Sequence, residues 1–114
     1  MKREKAIQPA AKYLSMVGYE VLFESDDGSL PDIVAKDEDG MLVFIEADSI
    51  EIDEGIPEVG GYDRAQHEIG AAYWLTTHDA DADVRIRFDH VLIIRLNDDR
   101  AMVRHVKNIF GGSE

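Results

Sequence analysis

The order of helix-like and strand-like segments predicts an α/β (α+β) domain in three layers, a mixed sheet of about five strands flanked by helices. Three observations carry this. A stripe of apolar residues at three- and four-residue spacing opens the chain (Ala6, Ala10, Tyr13, Leu14, Val17). Two short alternating runs then flank the acidic turn Asp37-Glu38-Asp39-Gly40. Later, Val91 to Ile94 is apolar on both faces, as a strand inside a sheet requires.

Taken in order, residues 3–17 read as a helix with Pro9 in its first turn or at a bend, and with Gly18 as its stop. Residues 19–24 alternate, Tyr19, Val21 and Phe23 against Glu20, Leu22 and Glu24, as a half-buried strand does. A turn at 25–29 leads to a hairpin over 31–48. Its turn is favoured because Gly40 reaches positive φ at little cost and Asp tolerates left-handed geometry. On its second strand Leu42, Phe44, Glu46 and Asp48 share one face, and Met41, Val43, Ile45 and Ala47 the other. Residues 49–61 form an acidic, glycine-containing loop, either a binding loop beside the hairpin carboxylates or an ordinary surface excursion. Residues 62–77 read as a second helix whose stripe is Ala65, Ile69, Ala72, Tyr73 and Thr76, widened by Trp74 and Leu75. Gly70, Ala71 and Ala72 let it lie close to a sheet. The polar connection at 78–83 lacks the glycine and glutamate of a calcium loop. Residues 84–96 form the longest strand, with Phe88, His90, Leu92 and Ile94 on one face, and 102–106 return as a short one. The order is α-β-β-β-α-β-β.

At 114 residues the chain fits one domain with a single core. No apolar run approaches the roughly 20 residues of a membrane span, and MKREKAIQ has no apolar run after its charges, so no signal peptide is expected. The absence of cysteine excludes disulfides and thiolate metal sites and fits a reducing cytoplasm. With 24 acidic against 12 basic residues the net charge is −12. Such a chain repels a phosphate backbone at long range unless a basic patch or bound metal reverses the local field. Lys2, Arg3 and Lys5, and Arg100, Arg104 and Lys107, are the two small basic clusters. The acidity equally suits a basic protein partner or a salty habitat.

The chemistry-bearing feature is the hairpin. Its second strand begins apolar and ends in Glu46 and Asp48, and pairing brings Asp32 near one of them. Three carboxylates at one hairpin end suit a hard divalent cation such as Mg²⁺; the alternative is a solvated strand end. None of the four histidines has a sequence spacing suited to zinc, and each reads as a surface or packing residue. Gln66 either faces the cleft, positioning a water or phosphate, or is merely solvated.

Four stretches together resemble the YraN-like family of small bacterial proteins with a restriction-endonuclease-like fold: AAKYLSMVGYEVL (10–22), PDIVAKDEDGMLVFIEA (31–47), RFDHVLII (87–94) and RHVKNIF (104–110). The resemblance implies a metal-dependent nuclease constellation, with Asp on one hairpin strand and Glu-x-Lys on the next. The acids would hold Mg²⁺ or Mn²⁺, and the Lys would support the nucleophile. Asp32 then matches the metal-binding Asp and Glu46 the metal-binding Glu. Asp48 stands where Lys is expected, so an anion replaces a cation beside the phosphodiester. Leu30 and Ile7 fall where the family carries acids, and Asp63 falls on or beside a basic position, with Arg64 one place off.

Three functions remain open on this reading. One is a nuclease-fold protein that has lost efficient cleavage and binds nucleic acid or a partner. Another is an active Mg²⁺- or Mn²⁺-dependent endonuclease using Asp32, Glu46 and Asp48 as ligands, with Arg64, Lys12 or Lys36 as a displaced cation. The third is an acidic protein-interaction module.

Overall fold

A computed structural model describes residues 5–55, 60–78, 80 and 83–111. Its elements are α1 (Ile7–Met16), β1 (Glu20–Glu24), β2 (Ile33–Lys36), β3 (Leu42–Glu51), a single 3-10 turn (Ile52–Glu54), α2 (Arg64–Thr77), β4 (Ile86–Arg95) and β5 (Ala101–Val106). The five strands make one mixed sheet in the order β1-β2-β3-β4-β5. β1/β2, β2/β3 and β4/β5 are antiparallel. β3 and β4 are parallel because the chain between them crosses over through α2. The predicted class and element order therefore hold, with helices flanking the sheet. No helix among the described residues is long and apolar enough to cross a membrane.

The faces follow the strand alternation. On one side α1 lays Ile7, Ala10, Ala11 and Leu14 against Ile33, Ala35, Val43, Ile45, Ala47, Val91 and Ile93. On the other, Ala71 and Trp74 of α2 pack on Val34, Leu42 and Phe44, with Phe23 and Phe88 beside them. The hairpin turn forms as expected, with Asp37 Oδ1 accepting from the amides of Asp39 and Met41, both at 2.9 Å, and Gly40 at φ 84°.

Three expectations are corrected. Tyr19, Val21 and Phe23 do not share a face, because the register slips between Val21 (opposite Ala35) and Phe23 (opposite Val34). The bulge sends Val21 to the α1 side and Phe23 to the α2 side. β3 runs past Asp48 to Glu51, since Ser49 and Ile50 stay paired with Ile93 and Ile94 of the neighbouring strand. The expected loop therefore starts later, and its residues 56–59 lie outside the described ones, as do 79, 81 and 82 of the polar connection.

The third correction concerns α2. Its buried residues are His67, Ala71 and Trp74, whereas Ile69 is 69 % and Tyr73 72 % exposed. The helix is turned from the expected stripe because His67 and the side-chain-less Gly70, neither of them in that stripe, face inward. Gly70 sits so close to the β2 approach that an added Cβ would lie 2.5 Å from the Leu30 carbonyl oxygen. Gly70→Ala is thus expected to destabilise the fold by about 1–3 kcal/mol, as overpacking does, although Ala is the better helix former by about 1 kcal/mol. Urea unfolding of the variant checks the sign, and a stabilised variant would show that α2 can retreat freely.

The α1 side also buries charge. Asp89 is fully buried and receives Arg87 Nε at 2.9 Å and an Nη at 3.1 Å. The Asn108 amide donates to it at 2.9 Å, and His105 Nε2 lies 2.8 Å away. Arg87 reaches on to Asp37 at 3.1 Å and to the Tyr19 hydroxyl at 2.8 Å. The Tyr13 hydroxyl lies 3.0 Å from His105 Nδ1.

Candidate metal centre

On the α2 side of β3, the alternation that places Phe44 in the core carries Glu46 and Asp48 to the same face. β4 lies beside it in parallel, and His90 is in register with Glu46. His90 Nε2 stands 2.8 Å from Asp48 Oδ2. Its Nδ1 stands 3.0 Å from the Tyr62 hydroxyl, just ahead of α2. From the first turn of α2, His67 points inward, with Nε2 2.9 Å from Glu46 Oε1. Its Nδ1 lies 2.8 Å from the Asp63 carbonyl oxygen. That oxygen can only accept, so Nδ1 donates to it and Nε2 faces the carboxylate. Phe110 closes the cluster edge-on, with ring centroids 5.2 Å from His67 and 6.3 Å from Tyr62.

One ligand atom from each of Glu46, Asp48 and His90 falls within 4.8 Å of the others, a grouping able to hold a metal ion. Asp48, His67 and His90 are buried and Glu46 is half-buried, so Glu46 marks the solvent side. Burial lifts the Tyr62 phenol above its ordinary pKa, and the charges of Glu46 and Asp48 lift it further, while Arg104 opposes them. Tyr62 therefore remains a neutral hydroxyl that can donate to His90 or accept from it.

The sequence-derived residues divide accordingly. Glu46 and Asp48 meet. Asp32 falls opposite Glu46 when the Ile33–Ile45 pairing is carried one residue further, and it is fully buried. One of its oxygens, Oδ2, accepts from the Ala47 amide at 2.9 Å. It stands outside the three-residue group, holding the β3 backbone between the two carboxylates. Arg64 is bound to Glu68 at 3.1 Å and lies over the Phe110 ring at 5.6 Å. Gln66 is exposed and lines a shallow depression with Leu30 and Ile69. Lys12 lines a groove with Glu24 and α1 residues, and Lys36 is exposed at the end of β2.

Sequence reasoning missed His67, His90, Tyr62 and Arg104. The two histidines are 23 residues apart by number (90 − 67) and converge through the β3–β4 register and the rotation of α2. The one local signal was His90 on an otherwise apolar strand face. Arg104 pairs across the sheet with Leu92, which puts it on the same face as the cluster.

No family model matches the chain. A UPF0102 protein of Trichlorobacter lovleyi is 33 % identical over 112 residues, spanning 90 % of this chain and 84 % of that protein. The chain belongs to the UPF0102 (YraN) family. A second UPF0102 protein, from Rhodopseudomonas palustris, is 34 % identical over 108 residues, 91 % of this chain and 78 % of that protein. Membership in the UPF0102 family agrees with the four stretches that resembled it.

Proposed function

We propose that this UPF0102 protein is a nuclease-derived domain that has lost efficient phosphodiester cleavage and acts by binding, with nucleic acid as the ligand class its ancestry suggests. The observation that carries the reading is Asp48. It occupies the position where the resemblance expects the catalytic Lys, is only 4 % exposed, and is bound to His90 at 2.8 Å. A buried carboxylate there repels both an approaching phosphate and the negative charge that develops during cleavage. The surrounding hairpin, crossover helix and mixed sheet are consistent with a restriction-endonuclease-like ancestry.

The metal that the resemblance implies, Mg²⁺, fits these residues poorly. Mg²⁺ demands near-octahedral oxygen ligands. Here an imidazole nitrogen belongs to the same group as Glu46 and Asp48, and Asp32 is engaged with the Ala47 amide. Mn²⁺ tolerates nitrogen ligands better.

A second reading, an active metal-dependent endonuclease, is favoured by Arg104, whose charge is felt at Tyr62 and which brings a cation to this face from β5. The two readings separate with plasmid and branched DNA in Mg²⁺ or Mn²⁺. Wild type is expected to cleave no faster than Asp32→Ala and Glu46→Ala, and to retard branched DNA only at low salt. Cleavage that disappears in both variants and in Arg104→Ala would establish the second reading. A basic protein recovered by pull-down, with no DNA retarded at low salt, would leave the acidic interaction module.

A further inference from the structure

We infer that Glu46, Asp48 and His90, with His67 as a fourth donor, form a site for a divalent transition metal of the Mn²⁺–Zn²⁺ series rather than for Mg²⁺. The inference shares with the proposed function only the premise that the β3 carboxylates face one pocket. It is independent of whether DNA is cut.

The site is built from three separate elements. β3 supplies two carboxylates, β4 one imidazole in register with Glu46, and the first turn of α2 a second imidazole. Neighbouring ligands about 2.1 Å from a common metal lie roughly 3.0–3.4 Å apart, for octahedral and tetrahedral angles respectively. The His67–Glu46 and His90–Asp48 separations of 2.9 and 2.8 Å are close to such edges. The three-residue group of Glu46, Asp48 and His90 spans up to 4.8 Å, and His67 joins it through Glu46.

Tautomers agree with ligation. The Asp63 carbonyl fixes the His67 proton on Nδ1 and presents Nε2 to the pocket, the arrangement that orients metal-bound histidines generally. For His90, the Tyr62 hydroxyl at 3.0 Å serves either tautomer. It donates when Nε2–H binds Asp48, and it accepts when Nε2 turns its lone pair to a metal. The aromatic rings of Phe88 and Phe110 pack edge-on against His67, and half-buried Glu46 leaves the open side. Two imidazoles and two carboxylates, with no thiolate in the chain, suit Mn²⁺, Fe²⁺, Co²⁺ and Zn²⁺, with affinity rising toward Zn²⁺.

The test uses the full chain, stripped with chelator and titrated calorimetrically with ZnCl₂, MnCl₂ and MgCl₂, with CoCl₂ followed by its visible absorption. One Zn²⁺ should bind per chain and raise the melting temperature, with Mg²⁺ weaker by on the order of 100-fold or more. Co²⁺ should show the intense bands of a low-coordinate site with nitrogen donors. His90→Gln and His67→Gln should each weaken Zn²⁺ by at least about 10–100-fold, while the exposed control Glu24→Gln leaves it unchanged. Circular dichroism in chelator establishes that each variant is folded. Equal affinity for Mg²⁺ and Zn²⁺, several equivalent ions per chain, no binding, or indifference to both histidine changes would each overturn the site. The wild-type comparison of Zn²⁺ with Mg²⁺ decides even where a variant fails to fold. Histidine-dependent binding together with DNA cleavage would sink the loss of catalysis and keep the site; no binding and no cleavage would do the reverse.

Discussion

Replacing Asp89 with Ala is expected to destabilise the fold by about 3–5 kcal/mol, the range for breaking a buried ion pair from one side. Asp89 is fully buried, and its two oxygens serve Arg87, His105 and the Asn108 amide. Arg87 retains Asp37 and Tyr19, which places the loss toward the lower end. Asn is the sharper probe because it preserves shape and removes the charge. Burial by itself would raise the Asp89 pKa, but the hydrogen bonds from His105, Arg87 and Asn108 outweigh it and hold the carboxyl below its ordinary 3.8. A depressed folded-state pKa contributes stability that is complete above the unfolded value and fades as pH falls through the folded one. The stability gap between wild type and Asp89→Asn should therefore be constant above about pH 5 and shrink below about pH 4. Chemical denaturation at a series of pH values measures this. A gap that widens on acidification would mean that the Asp89 carboxyl is held protonated.

Phe44→Ala should cost about as much, 3–5 kcal/mol for an aromatic removed from a core. Phe44 is 1 % exposed. Its ring lies 5.9 Å from that of Trp74 on α2 and 5.8 Å from that of Phe88 on β4. It is thus the floor on which α2 rests, two residues before Glu46. Against a typical domain stability of about 5–15 kcal/mol, the loss removes a large share. Phe44→Leu should cost much less, because most of the volume is kept. The two variants compared by denaturant midpoint distinguish a packing role from a general intolerance at this site. If α2 docking positions His67, Phe44→Leu should also loosen metal binding, whereas a variant confined to β1, such as Leu22→Ala, should not.

Much of this fold was legible because strand alternation and turn chemistry are local. The Asp37–Gly40 turn, the division of Leu42, Phe44, Glu46 and Asp48 from Val43, Ile45 and Ala47, and the shared face of Phe88, His90 and Leu92 all follow from period-two geometry. What failed were features set by partners. The bulge at Leu22 depends on how β1 meets β2. The rotation of α2 depends on the space left beneath Gly70 by the Leu30 carbonyl. A hydrophobic stripe through Ile69 and Tyr73 was the natural expectation, yet both are exposed, and a histidine took the buried position instead.

The chain's own residue order was enough to establish a helix-flanked mixed sheet and to mark Glu46 and Asp48 as chemically odd on their strand. It also carried the resemblance to the UPF0102 (YraN) family, because that rests on short stretches in a set order. Which side chains surround the two carboxylates was settled only by folding. The parallel register that sets His90 beside Glu46, and the helix rotation that aims His67 at the same carboxylate, join segments far apart in the chain. No local periodicity encodes that meeting, since it depends on which strand pairs with which and how closely α2 approaches.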